Sequence, residues 1–312
     1  MKIGLISSIM AEEHSSPPGH PENAERVAYA ISRLRESDLW SNINEFKPAL
    51  GEPDAIYKVH SRKYIDHLKN ISGRDLKYLD GDTYLTKTSF KAAWETALAT
   101  IGAVDSIMAN EFRRIFLAGR PPGHHAEKDR GMGFCILNNS AIAAEQAVTK
   151  YNLNRVVIID WDVHHGNGTQ HIFYDRANVF YISLHRFPFY PGSGGTAEQG
   201  EGEGLGFTFN VPFRQGTGND AYIGVFDEYI VPALNEYKPE LIIITAGFDA
   251  HREDPLGGMN LTEQCFGTMT ARLVEAADKY CQGRILSLFE GGYSPAGNAL
   301  SLYHHIRELI RD

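Results

Sequence analysis

The stretch "VVIIDWDVHHGNGTQ" (156–170) decides how this chain folds. Val156 to Ile159 are four β-branched residues without a polar break, the pattern of a strand buried on both faces of a parallel sheet. The strand then delivers two aspartates and two histidines within six residues. Burying such groups costs several kcal/mol unless something pairs them. The rest of the chain must supply that partner.

Comparable apolar runs recur on either side. They are "KIGLIS" (2–7), "RIFLAG" (114–119), "VFYISL" (179–184), "ELIIITAG" (240–247) and "RILSLFEGG" (284–292). Between them lie helical patterns. In 88–108, Phe90, Trp94, Ala97, Leu98, Ile101, Val104 and Met108 recur at helical spacing, and 138–150, 219–237, 262–280 and 296–311 read as helices too. The alternation predicts an α/β fold, a parallel sheet covered by helices on both faces. No repeat, charge block or Ser/Pro linker marks a boundary, so the chain reads as one domain over 1–312. "PGSGGTAEQGEGEGLG" (191–206), with seven glycines, reads as a flexible surface loop, and "EEHSSPPGHPENAER" (12–26) as a loop preceding a helix.

Composition narrows the possibilities. A hydrophobic fraction of 43% supports a substantial core, and a net charge of −9 argues against a nucleic-acid partner. Cys135, Cys265 and Cys281 are far apart with no CxxC spacing, which fits a reducing compartment and disfavours a thiolate zinc site. The start "MKIGLISSIMAEEH" turns acidic too soon for a leader peptide or a membrane span. These features predict a cytoplasmic protein without a membrane partner and leave a homo-oligomer open.

In open parallel sheets, ligands sit beyond the carboxyl ends of the strands. Here those ends are followed by "RPPGHHAEKDRGMGFC", "DWDVHHGNG", "DAHREDPLGG" and "GGYSP", so His, Asp and Tyr converge on one rim. Asp160, Asp162 and His164 fall at i, i+2 and i+4, on one side of an extended segment, and Asp249 ends another strand. An Asp/His/Asp set with open positions suits catalytic Zn²⁺ or Fe²⁺ better than a closed structural zinc. His124 and His125 read as proton-transfer groups, oriented by an aspartate of "DWD" and by Asn167 of "HHGNG". Tyr293, behind two glycines, can donate to a developing oxyanion.

Seven motifs, "PGHPENAER", "RPPGHHA", "GFCILNN", "DWDVHHGNG", "SLHR…FYPGSG", "AGFDAHREDPLGG" and "EGGY", stand in this order. Together they resemble the zinc-dependent histone deacetylases and their bacterial amidohydrolase relatives over nearly the full chain. The resemblance implies the three-layer arginase–deacetylase fold, with a central, mostly parallel sheet. It also implies zinc ligands Asp162, His164 and Asp249. His125 would be general base and acid, His124 its electrostatic helper held by Asp160, and Tyr293 the carbonyl-polarising donor. Gly133, Phe134 and Tyr190 would line an acyl-lysine tunnel. A structural potassium ion would involve Asp160, Asp162, His164, Ser183 and Leu184, several through backbone carbonyls. Asn167 follows the class II pattern, and Tyr293 is retained where class IIa vertebrate members carry histidine. Tyr190 stands where many members have phenylalanine, which adds a hydroxyl to the tunnel wall.

The expected activity is therefore removal of acyl groups from the ε-amine of lysine. A deacetylase of polyamines or other small molecules is the alternative within the same class. Some such members carry a glutamate gatekeeper seven residues after the last zinc ligand, where this chain has Leu256. A binuclear manganese enzyme would need a second full ligand set. A catalytically silent acyl-lysine-binding protein would be signalled by a missing ligand or tyrosine, and none is missing.

Overall fold

In the computed structural model, which describes residues 2–7, 13–73 and 76–311, the run at 156–170 opens on an interior strand of an eight-stranded sheet. In chain order the first strands are β1 (Ile3–Ser7), β2 (Ile43–Glu45), β3 (Lys77–Tyr78), β4 (Tyr84–Leu85) and β5 (Arg114–Ala118). They are followed by β6 (Val156–Asp160), β7 (Val179–Arg186), β8 (Thr208–Phe213), β9 (Leu241–Ala246) and β10 (Ile285–Phe289). The sheet order is β2-β1-β5-β10-β9-β6-β7-β8, and every neighbouring pair is parallel. The short β3/β4 hairpin, outside this sheet, is antiparallel. The expected α/β class with a central parallel sheet is what the molecule has.

The helices are α1 (Ala24–Arg35), α2 (Asp54–Val59), α3 (Arg62–Ile71), α4 (Ser89–Met108) and α5 (Asn139–Tyr151), then α6 (Asn167–Phe173), α7 (Asn219–Val225), α8 (Val231–Tyr237), α9 (Glu263–Tyr280) and α10 (Pro295–Leu309). Side chains of a strand alternate between faces, so each strand feeds two cores. Val157, Ile159, Ile242, Ile244 and Phe116 pack with α1, α9 and α10. Val156, Ile158, Leu241, Ile243 and Ile115 pack with α2 to α5. This two-sided burial is why the central strands are mostly apolar rather than alternating.

The local differences from the sequence reading have physical causes. β2 and β8 are edge strands with half-exposed or exposed positions, so they lack the continuous apolar run. The expected helix at 219–237 is interrupted by a π turn at Phe226–Ile230, just before Pro232, whose missing N–H cannot continue a regular ladder. The glycine-rich stretch is tethered: Glu198 Oε1 accepts from the amides of Gly194 and Gly195, both at 2.8 Å. All three cysteines are free and buried. Among the described residues, no helix is long and apolar enough to cross a membrane.

Candidate active site

Because the sheet is parallel, its carboxyl ends share one rim, and β5, β10, β9 and β6 are consecutive in it. Those are the four strands whose following loops carry the His, Asp and Tyr motifs. Asp160 ends β6 and is flanked in register by Ser183 of β7 and Thr245 of β9. Ser183 and Leu184 thus lie next to the start of the "DWDVHH" turn.

Asp162, His164 and Asp249 bring their ligand atoms within 4.8 Å of one another. His164 Nδ1 lies 3.1 Å from Asp162 Oδ1 and 3.2 Å from Asp249 Oδ2. The outer carboxylate oxygens are already held: Gly291 N donates to Asp162 Oδ2 at 2.8 Å, and Val163 N to Asp249 Oδ1 at 2.7 Å. Asp249 Oδ2 is buried and accepts no hydrogen bond among the described residues. Burial and the neighbouring Asp162 charge push the Asp249 carboxyl up to about 7. Burial opposes ionisation of Asp162 as well, yet the positive His124 and His164 beside it hold its carboxyl far below the usual range. An orphaned oxygen, two buried carboxylates and one imidazole fit a divalent cation, with backbone amides fixing the ligands from behind. A second group, His124, Cys135 and Glu290, is as close together. It fits a metal poorly, because burial pushes the Cys135 thiol well above its ordinary value and away from the thiolate.

The two successive histidines have opposite environments. His124 Nδ1 donates to Asp160 Oδ2 at 3.1 Å. Burial opposes its charge, but Asp162 and Asp160 raise it to about 10. His125 is paired to a neutral amide, with its Nδ1 2.8 Å from Asn167 Oδ1. Burial, reinforced by the positive His124 and His164, holds His125 well below its ordinary value. One imidazole is thus charged and its neighbour, with ring centroids 4.0 Å apart, is neutral and able to take a proton. Asn138, from the "GFCILNN" motif, caps α5 through Ala141 N and donates to Ala126 O at 3.1 Å, which pins this loop.

A pocket opens above these groups, lined by His125, His164 and Tyr293, by Gly133, Phe134 and Tyr190, and by Leu256 at its rim. Phe134 has φ +69° and Gly133 φ +56°, a left-handed pair that turns the wall inward. A β-carbon at Gly133 would collide with the His125 ring. The His125 and Tyr190 rings meet edge-on at 5.1 Å, and Phe134 and Tyr293 at 5.9 Å. Burial pushes the Tyr293 phenol well above its ordinary value, so the hydroxyl stays protonated. Its backbone N–H donates to Asp254 Oδ2 at 2.6 Å.

The sequence reading missed several residues here. His20, Pro21, Asp82, Phe189 and Pro255 also line the pocket. His164 stacks on Phe189 at 5.1 Å. Asp80 and Thr83 hold the wall by accepting from Gly133 N at 3.1 Å and Phe134 N at 2.9 Å. His20, Phe189 and Asp254 lie inside motifs already noted, whereas Asp80 and Asp82 come from a turn with no chemical signature.

A parallel sheet with a carboxylate–imidazole triplet able to hold a metal ion and a paired histidine at its rim is the layout of a hydrolase active site. Residues 20–309 match the model of the histone deacetylase domain, and the chain belongs to the histone deacetylase family. It is 40% identical over 302 residues to a probable deacetylase of Archaeoglobus fulgidus, covering 95% of this chain and 83% of that protein. It is 38% identical over 281 residues to the histone deacetylase-like amidohydrolase of Pseudomonas aeruginosa, covering 89% of this chain and 73% of that one. The solved structure of the HDA15 HD domain matches with a TM-score of 0.93 at 33% identity, covering 99% of this chain and 88% of the other. This chain is an enzyme of the deacetylase kind.

Proposed function

We propose that this enzyme is a zinc-dependent amidohydrolase that removes acetyl or related acyl groups from the ε-amine of lysine in peptides or proteins. One observation carries the reading: a single pocket brings together His125, Tyr293 and His164, the last of which is clustered with Asp162 and Asp249. Its Phe134, Phe189 and Tyr190 walls suit the methylene stem of lysine. Zinc held by Asp162, His164 and Asp249 supplies, when bound, the Lewis acidity that polarises the carbonyl and acidifies water. His125 takes the proton of the attacking water through Nε2, with His124 beside it kept charged by Asp160 and Asp162. Tyr293 donates its O–H to the carbonyl oxygen as negative charge develops there. The C–N bond then breaks, His125 returns the proton to the leaving amine, and the carboxylic acid departs. The reading includes a potassium ion against Asp160, Asp162, His164, Ser183 and Leu184, supported by the register that sets Asp160 beside Ser183.

Leu256 favours lysine over a polyamine, since it offers no carboxylate to a second ammonium group at that point of the rim. The test assays zinc-loaded protein on an acetyl-lysine peptide and an acetylated polyamine, with metal content measured for wild type and Asp249→Ala. Peptide turnover that disappears together with the zinc in the variant is expected. A wild type inactive on every acylated amine would overturn the proposal in favour of a silent acyl-lysine-binding protein.

A further inference from the structure

The contact that orients His125 does not end at Asn167. Asn167 Nδ2 donates to Glu127 Oε1 at 2.7 Å, and Glu127 Oε2 pairs with His171 Nδ1 at 3.0 Å, where His171 is half-exposed. Four side chains therefore run in line from the pocket to the surface. Asn167 is buried, so its amide has few partners to choose between: besides Glu127, its nitrogen approaches, among the described residues, only the Met132 sulfur and the His125 carbonyl, both at 3.5 Å.

An ionised carboxylate only accepts hydrogen bonds, whereas a primary amide has one accepting and one donating end. Glu127 stays ionised, because the hydrogen bonds and charge of His171 with those from Asn167 and Arg130 outweigh its partial burial and lower it to about 2. The amide must then turn its NH₂ to Glu127, which leaves only Oδ1 for His125 Nδ1. An oxygen there requires the proton on Nδ1, and Nε2 is left with a bare lone pair. An amide turned the other way would present a donor to Nδ1 and drive the proton to Nε2, where it blocks general-base action.

We infer that Glu127 is a positioning residue for proton transfer: by fixing the rotamer of the Asn167 amide, it selects the tautomer in which His125 Nε2 is free to accept a proton. The inference rests on the role of His125 proposed above. Glu127 lies outside the pocket lining and acts through Asn167.

The test reverses the hydrogen-bond polarity at residue 127. In Glu127→Lys the introduced ammonium demands the amide oxygen, so NH₂ turns to His125. Histidine ¹⁵N chemical shifts of the zinc-loaded protein should then move the His125 proton from Nδ1 to Nε2. kcat on an acetyl-lysine peptide should fall by about tenfold or more, part of the ~10²–10⁴ that a general base contributes, with KM and zinc content unchanged. Glu127→Gln, which satisfies either orientation, should fall in between and guards against misfolding of the charge reversal. Asn167→Asp added to Glu127→Lys gives His125 an acceptor again and should restore both the tautomer and most of kcat. A His125 that keeps its Nδ1 proton in both single variants would overturn the inference, as would a double variant no better than Glu127→Lys. Absent wild-type turnover would sink the lysine-deacetylase reading alone, and the ¹⁵N shifts would still decide the role of Glu127.

Discussion

At the scale of the single residue, the Tyr293 hydroxyl and the His125 ring carry separable burdens. Tyr293→Phe keeps the ring and its edge-on contact with Phe134. It removes a donor that matters most once charge has developed on the carbonyl oxygen. We expect kcat to drop by ~10²–10³ with KM little changed, and steady-state kinetics on one acetyl-lysine peptide would check this. An unchanged kcat would remove Tyr293 from the reaction. His125→Ala should abolish turnover while zinc stays bound, because Asp162, His164 and Asp249 hold one another's geometry without it. Metal analysis of the purified variant decides the point; zinc loss on removing His125 would make it a ligand instead.

At the scale of the element, the loops after β9 and β10 matter because they approach the carboxylates with bare backbone. A β-carbon at Gly291 would run into both Asp249 Oδ2 and Asp162 Oδ2. Gly291→Ala should therefore leave the fold intact but weaken zinc binding by ~10–100-fold, the usual cost of disturbing groups that orient metal ligands. Competition with a chromophoric chelator measures it, and wild-type affinity would show that the loop yields freely. The same elements explain what could be read in advance. β6, β9 and β10 announced themselves through apolar runs broken only by small hydroxyl residues, Thr245 in β9 and Ser287 in β10, since both of their faces are covered. The side chains just past their ends were legible because burial there makes Asp and His conspicuous. β8 was not, for it carries Pro212 at a sheet edge, where a missing N–H costs little. Glu127 was in plain view after "RPPGHHA", but its meaning depends on Asn167, 40 positions away in the chain. Asp80 and Asp82 were illegible for the same reason, because their partners and neighbours are set by tertiary contact alone.

At the scale of the whole molecule, one buried carboxylate ties distant segments together. Glu22, ahead of α1, accepts from Arg120 Nε at 2.6 Å and Nη2 at 2.8 Å, from Tyr84 of the hairpin at 2.7 Å, and from Arg26 at 3.3 Å. Arg26 in turn donates to the carbonyls of Glu290 and Gly292, beside Tyr293. Burial opposes the Glu22 charge, but Arg120, His14 and Arg26 hold its carboxyl well below the ordinary 4.5. A depressed carboxylate contributes stability that is complete above its unfolded value and is lost as pH falls from about 4.5 through the folded value. Glu22→Gln should flatten that acid limb of the stability curve. At neutral pH it should cost ~3–5 kcal/mol by leaving buried guanidinium charge uncompensated. Urea melts at pH 7 and pH 4 would check both parts, and parallel pH dependence in variant and wild type would exclude Glu22 as the source.

The backbone amides of Gly291 and Val163 grip the far oxygens of Asp162 and Asp249, each reaching across from another strand's loop. Such a cradle is built by the sheet, not by what it holds. Chelator-treated protein should therefore keep its circular dichroism spectrum, unlike a zinc finger, whose ion is its folding energy. On the proposed zinc reading, loading is then simple binding to a finished scaffold, and adding a Zn²⁺, Fe²⁺ or Co²⁺ salt to the stripped protein should give the corresponding form. On that reading the ion carried in a cell is a question of supply, decided after the chain has folded.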